Sequence, residues 1–274
     1  MKILITGGNG NIAKIIKNNL SSYFDIISLN RNELNILNYD DIKSYLDKNN
    51  FDILVHTAIL GGRRTKEENG DVTHINLLML ENLLKFSDKF KMIINFDSAA
   101  IYDRSTDILN RKEDDLYTIP SDYYGFSKYV IYQRSLQYNN FYNFRIFNLF
   151  HHNEEESRFI KSCFNANKNN NDVTIFEDKY FDFVYEDDFV KIIKYYFDNY
   201  ENKEKLHKTI NICYQKKYKL SDVAKLVVDD ISKIKILNSE SNNNYSGNGD
   251  ILNSLNLNLL GLEDSLKIFK DKLC

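Results

Sequence analysis

Tyr124 and Lys128 stand four residues apart, on one face of the chain if the segment is helical. At that spacing an ammonium can act on a phenol, and a phenol with a lowered pKa can give or take a proton at a reacting oxygen. The spacing alone decides little, because the chain has 19 tyrosines and Tyr39 with Lys43 repeats it. Context separates the two pairs. Tyr124 follows Pro120, the single proline, opens a helical stretch and lies 26 residues after Ser98, a hydroxyl that ends an apolar run. Tyr39 has no such strand or serine before it. Ser98, Tyr124 and Lys128 are the candidate proton-transfer set; the plainer reading is a core tyrosine, a surface lysine and a capping serine.

A second candidate site opens the chain. Thr6-Gly7-Gly8-Asn9-Gly10-Asn11-Ile12-Ala13 follows an apolar run and leads into a helical pattern. Glycines there let the backbone turn sharply and approach a pyrophosphate, and the helix start offers N–H groups and a positive dipole end to the anion. Glycine-rich turns also simply connect elements, but this one sits between strand and helix at the N-terminus. The second apolar run ends in Leu29-Asn30-Arg31, where a carboxylate would grip the ribose 2′-hydroxyl of NAD. An arginine pairs with a 2′-phosphate instead, which favours NADP and leaves NAD possible.

These residues need a frame, and the patterning supplies one. Short apolar runs at Lys2–Thr6, Asp25–Leu29, Ile53–His56, Met92–Phe96 and Asn143–Asn148 alternate with helical segments, one lined by Ile12, Ile15, Ile16 and Leu20 and another by Ile75, Leu78, Leu83 and Phe86. Such alternation predicts an α/β fold, a doubly wound parallel (Rossmann) sheet. After Phe150 the chain turns polar, and a smaller C-terminal substrate-binding lobe is expected. Strands are predicted at Val173–Phe176, Phe181–Tyr185 and Thr209–Cys213, helices at Phe189–Tyr200 and Leu220–Ile231, and a mobile loop at Asn238–Gly249. The dinucleotide-binding domain is assigned residues 1–150 plus about 181–214, and the lobe about 151–180 and 215–274.

Composition excludes several classes. A net charge of −3 and no interleaved basic and aromatic stripe argue against nucleic acid. No apolar run approaches a signal peptide or membrane span, so a cytoplasmic protein is expected. Cys163, Cys213 and Cys274 show no CxxC spacing and are expected as free thiols. His151 and His152 beside Glu154–Glu156 fit no compact metal site, so no metal is expected.

Taken together, TGGNGNIA at the start, HTA at 56–58, DSAAIY at 97–102, YGFSK at 124–128, RIFNLF at 145–150 and DFVYEDD at 182–188 resemble the extended short-chain dehydrogenase/reductases of the nucleotide-sugar epimerase/dehydratase group. RNELNILN at 31–38 is similar to the matching segment of GDP-fucose synthases and related sugar-nucleotide reductases. The resemblance implies Tyr124 as acid/base, Lys128 lowering its pKa and holding the nicotinamide ribose, and Ser98 bonding the same oxygen. It also implies cofactor contacts at Gly7, Gly10, Asn11, Ile12, Asn30, Arg31, Asn35, Ile36, Thr57, Ala58, Ile59 and Phe147, besides Tyr124 and Lys128. Substrate contacts are implied at Ser98, Ala99, Ala100, Tyr124, Asn148 and Arg158. A homodimer is implied too, with Leu77, Leu80, Leu84, Val130 and Tyr132 as candidate surface.

Departures narrow the chemistry. The dehydratases carry an Asp-Glu pair after the serine, and here Ala99 and Ala100 stand in those places; fucose synthases use a Cys and a His, here Ala100 and Arg158. Reversible hydride transfer at one carbon is what survives. The expected function is an NADP(H)-dependent reductase of a nucleotide-linked 4-keto (6-deoxy) sugar. An NAD-dependent nucleotide-sugar 4-epimerase is the alternative, and a non-catalytic dinucleotide-sensing regulator is the alternative of another class. The arginine that often precedes the DFVYEDD aspartate in relatives is Phe181, so diphosphate recognition is expected from Arg158, Lys179 or Arg63/Arg64, or else the substrate is not a sugar nucleotide.

Overall fold

A computed structural model describes residues 1–62, 67–239 and 243–273. Its elements begin β1 (Lys2–Thr6), α1 (Asn11–Leu20), β2 (Asp25–Leu29), α2 (Tyr39–Leu46), β3 (Ile53–His56), α3 (Gly70–Leu84), β4 (Met92–Ser98), β5 (Ile108–Arg111), α4 (Tyr123–Ser135) and β6 (Phe141–Ile146). They continue β7 (Leu149–Phe150), α5 (Phe159–Lys168), β8 (Val173–Ile175), β9 (Val184–Tyr185), α6 (Glu186–Asp198), β10 (Thr209–Ile212), α7 (Leu220–Val227), β11 (Ile234–Ile236), β12 (Tyr245–Gly247), α8 (Asp250–Ser254) and α9 (Gly261–Leu273).

The central sheet has six strands in the order β2-β1-β3-β4-β6-β10. β1 pairs in parallel with β2 on one side and β3 on the other, and β3 pairs in parallel with β4. The chain therefore reverses its winding direction at β1, and the fold is the expected doubly wound α/β sheet. All four residues of β3 are buried, which is why it reads as a continuous apolar run and not an alternating one. Leu4, Leu54 and Ile93 of the sheet pack with Ile42, Leu46, Leu80, Leu83 and Ile131 of α2, α3 and α4 in one apolar cluster. Each such side chain contributes roughly 1.5–3 kcal/mol on burial. Leu80 and Leu84 are interior residues of this cluster, so they cannot form the dimer surface considered for them.

The helices start where polar side chains satisfy their first amides. Asn38 accepts from Asp40 and Asp41 at α2, Asn69 from Asp71 at α3, and Asp122 from Gly125 at α4. α7 stops at Val227, short of the expected Ile231: Val228 is extended, and Asp229-Asp230 would place two carboxylates at the negative end of the helix dipole.

The chain divides into two compact units, one of residues 1–103, 116–145 and 192–210 and the other of 104–115, 146–191 and 211–274. The second is held by two-stranded parallel pairs, β12 with β5, β11 with β8 and β9 with β7. β5 was not anticipated, and the expected loop at Asn238–Gly249 contains β12. Tyr245 is buried there, and the Gly247 N–H donates to Asp182 Oδ2 at 2.8 Å. The strand expected over Phe181–Tyr185 narrows to its last two residues, since the backbone amides of Phe181 and Asp182 donate to Tyr218 O and Tyr245 O while Val184 and Tyr185 pair with β7. Cys163 and Cys213 are free and buried, and burial pushes the Cys163 thiol up to about 12. Cys274, Arg63 and Arg64 lie outside the described residues. Among the described residues no helix is long and apolar enough to cross a membrane, and no group of His, Cys, Asp and Glu could hold a metal ion.

Candidate active site

Because β1, β2, β3 and β4 are parallel, the segments that follow them gather at one edge of the sheet. Gly7–Gly10 follows β1, Asn30 and Arg31 follow β2, Thr57–Ile59 follow β3, and Ser98 ends β4. Ligands of doubly wound sheets bind at this carboxyl edge.

The glycine loop is shaped by contacts a side chain would break. Gly7 has φ +76°, and a Cβ there would lie 2.7 Å from the Ala58 nitrogen. The Gly8 N–H donates to Leu29 O at 2.8 Å and the Gly10 N–H to Gly7 O at 2.9 Å, so the turn is closed by backbone alone. Gly10 is the N-cap of α1 and has no side chain to cap with. The helix start thus faces the sheet edge with amides suited to an anion, and the cradle fits a dinucleotide pyrophosphate. Thr57 Oγ1 donates to Thr6 O at 2.7 Å, which ties the ends of β1 and β3 together.

Arg31 is exposed and Asn30 half-buried, its Oδ1 accepting the Asn32 N–H. Asn35 turns its amide oxygen to the Leu37 N–H, and Ile36 is buried in the core, its carbonyl taken by the buried Asn82. Ile59 is exposed.

Asp122 caps the start of α4, six residues before Lys128, and Gly125 is required between them: a Cβ there would meet Ala100 O at 2.7 Å and the Pro120 ring at 2.8 Å. α4 then carries Tyr124, half-buried, and Lys128, buried, with Nζ 5.6 Å from the centre of the Tyr124 ring. Lys128 Nζ donates to Phe96 O at 2.5 Å. Burial pushes this ammonium down to about 8, against the opposing pull of the Asp97 carboxylate. Beneath it His56 is fully enclosed, its Nδ1 paired with Thr6 Oγ1 at 2.8 Å, and burial together with Lys128 pushes it down to about 3, so it is neutral.

Ser98 caps a short 3₁₀ turn, its Oγ accepting the Ala100 N–H at 3.2 Å. Ala99 and Ala100 are buried in that turn and present no side-chain surface. In the second unit, Asn148 Oδ1 accepts from Arg158 Nη2 at 2.6 Å, and the Phe147 ring packs on Gly247 and on Tyr245, 5.5 Å between ring centres. Lys179 is engaged by Glu177 at 3.1 Å.

The family described as NAD dependent epimerase/dehydratase matches residues 3–213. The chain belongs to this family. Curated proteins compared by sequence give no match. Among solved structures, a dTDP-4-dehydrorhamnose reductase from Clostridium acetobutylicum is similar at TM-score 0.81 and 18% identity over 100% of this chain and 99% of that one. A GDP-mannoheptose C4 reductase from Campylobacter jejuni with NADP bound gives 0.76 and 18% over 98% and 97%. A dTDP-4-dehydrorhamnose reductase from Bacillus anthracis in complex with NADP gives 0.80 and 18% over 99% of each chain.

As an epimerase/dehydratase family member the chain is an NAD(P)-dependent enzyme, and its sheet edge contains residues that sequence reasoning passed over. Gly62, at φ +86°, packs against the phenol of Tyr124: a Cβ there would lie 2.9 Å from Cζ. Its N–H donates to Glu68 at 2.6 Å. Asn76, buried on α3, pairs with both N–H and C=O of Leu60 and donates to Ser127 Oγ, which in turn donates to the Tyr124 carbonyl at 2.7 Å. The paired glycines after HTA were the visible signal; the use of Asn76 needed the tertiary fold.

Proposed function

We propose that the protein is an NADP(H)-dependent reductase of a nucleotide-linked 4-keto (6-deoxy) sugar. The observation that carries this reading is the placement of Tyr124 beside the buried Lys128 ammonium, with Ser98 at the end of a neighbouring strand. In the proposed reaction Ser98 Oγ and the Tyr124 hydroxyl both donate to the substrate carbonyl oxygen and stabilise charge as it develops there. Tyr124 passes its proton to that oxygen, and Lys128 lowers the cost of the phenolate left behind. A bound nicotinamide supplies the hydride. Gly7, Gly10, Asn11 and Ile12 are proposed to hold the pyrophosphate, Thr57, Ala58 and Ile59 to line the dinucleotide, and Asn148 and Arg158 to meet the nucleotide sugar. The absence of acidic side chains at 99 and 100 supports reduction over dehydration. The NADP in two of the similar reductases supports the choice of cofactor.

The test is the loss of NADPH absorbance, then of NADH, with CDP-, dTDP-, GDP- and UDP-linked 4-keto-6-deoxy sugars. Rapid oxidation of NADPH with one of them is expected. No oxidation with any, together with NAD(H) retained through purification and interconversion of UDP-hexoses, would replace the reductase by the 4-epimerase. Arg31→Ala is expected to raise KM for NADPH by about tenfold or more, since a hydrogen bond to a charged group contributes about 1.5–3 kcal/mol. KM for NADH should stay in place; equal effects on both cofactors would remove Arg31 from the 2′-phosphate site.

Gly62→Ala gives a further expectation. The added methyl meets the Tyr124 ring in a backbone conformation alanine rarely adopts. Displacing the phenol by a fraction of an ångström is expected to lower kcat by roughly ten- to a hundredfold. NADPH affinity, measured by fluorescence, should hold; a wild-type kcat would show that the ring tolerates the shift.

A further inference from the structure

Behind Ser98 lies a set of buried ionisable groups contributed by four elements: Asp97 from β4, Arg145 from β6, Lys128 from α4 and His56 from β3. Arg145 is fully enclosed. Its Nε donates to Asp97 Oδ2 at 2.8 Å and its Nη1 to the Tyr102 hydroxyl at 2.6 Å, while the guanidinium carbon lies 4.7 Å and 5.2 Å from the ring centres of Tyr102 and Tyr132. The other oxygen of Asp97 accepts the Ser98 N–H at 2.8 Å. Lys128 is anchored on the carbonyl of Phe96, the residue before Asp97. His56 faces the group as a neutral ring. The Asp97 carboxylate is therefore bonded by the Ser98 amide and by Arg145, and its charge acts on the nearby Lys128 ammonium.

Such an arrangement is not needed for stability, because a buried ion pair recovers little more than the cost of desolvating it and an apolar pair of similar volume serves as well. Its contacts point elsewhere. We propose that Asp97 and Arg145 are a positioning pair for the chemistry at Ser98 and Lys128. Asp97 fixes the Ser98 backbone and keeps the Lys128 ammonium charged, and Arg145 sets how much of the carboxylate's field reaches that ammonium. The inference rests on the reading of Ser98, Tyr124 and Lys128 as one reacting set.

The sign of each perturbation follows. Without the Asp97 carboxylate, burial acts on Lys128 unopposed and the ammonium loses its proton at lower pH. Without Arg145 the carboxylate has Lys128 as its main cationic partner, and the proton is held to higher pH. The experiment is the pH profile of kcat for NADPH oxidation in the wild type, Asp97→Asn and Arg145→Met. The alkaline limb is expected to move to lower pH by about one unit in the first variant and to higher pH in the second. A purely structural defect lowers kcat at every pH and leaves the limb where it was, or moves both variants alike; either result overturns the proposal. Arg145→Lys keeps the buried charge should Arg145→Met not fold, and it is expected to move the limb in the same direction by a smaller step. A limb unmoved in both Arg145→Lys and Asp97→Asn also overturns it. A wild type that oxidises no NADPH with any keto sugar sinks the underlying reading and not the pair. NMR titration of the Lys128 side chain needs no substrate, and its midpoint should be lower in Asp97→Asn.

Discussion

Replacing Tyr124 with phenylalanine is expected to lower kcat for NADPH oxidation by about a hundred- to ten-thousandfold, the usual contribution of a positioned general acid. The change removes one oxygen from a half-buried ring and leaves the packing of Gly62 against it intact. Lys128 keeps its hydrogen bond to Phe96 O, and the glycine loop is untouched, so NADPH quenching of protein fluorescence should give the wild-type affinity. The outcome separates the enzyme from a dinucleotide-sensing regulator. A regulator has no proton to deliver and would show no turnover in the wild type either. A variant that keeps kcat within about threefold of the wild type would end the proposed role of Tyr124 and move the search for the acid to other groups at the sheet edge.

The second large effect is expected at Gly7. Alanine there must adopt φ +76° and place a methyl 2.7 Å and 2.8 Å from the Ala58 nitrogen and Cα, backbone atoms that cannot rotate aside. Positive φ in a non-glycine residue costs on the order of 1–3 kcal/mol, and the overlap adds to it. For a chain of this size a loss of about 2 kcal/mol lowers the melting temperature by roughly 4–8 °C. NADPH affinity should fall by about tenfold or more, because the amides of α1 no longer face the phosphates at the right distance. Gly10→Ala is the control for stability: at that position a Cβ meets a single atom, Gly7 O at 3.2 Å, and the backbone lies at φ −73°. It is expected to keep the melting temperature. Equal stability and affinity in Gly7→Ala and the wild type would show that the turn can rearrange and that its shape is not what the cofactor needs.

Much of the sheet edge was legible because its determinants are local. The runs Lys2–Thr6, Asp25–Leu29 and Ile53–His56 became strands residue for residue, and the glycines between β1 and α1 mark a turn that no other residue type makes easily. Tyr124 and Lys128 were separable from Tyr39 and Lys43 through Pro120 and Ser98, which set a strand end before the helix that carries them. What could not be read depended on distant partners. Nothing in Asn238–Gly249 announces a strand, since Tyr245 becomes one by pairing with Ile108. Asp97 looked like one more polar residue in DSAAIY, and Arg145 like the polar member of a strand. Their meaning appears once β4 and β6 enter the same sheet and the two side chains meet in its interior. The length of α7 was misjudged because the apolar period continues to Ile231 while the Asp pair ends the helix.

The pairing of β5 with β12 has a consequence for how the chain assembles. Ile108 waits for Tyr245, and Asn110 for the hydroxyl of Ser246, 136 residues further along. During synthesis β5 therefore emerges long before its partner exists, while β1, β2, β3 and β4 already have theirs. Contacts of such separation carry a large loop-closure cost and form late. The first unit can collapse on a largely sequential sheet, but the second closes only when the last quarter of the chain has arrived, and until then β5 is an unpaired edge that a chaperone or another chain could capture.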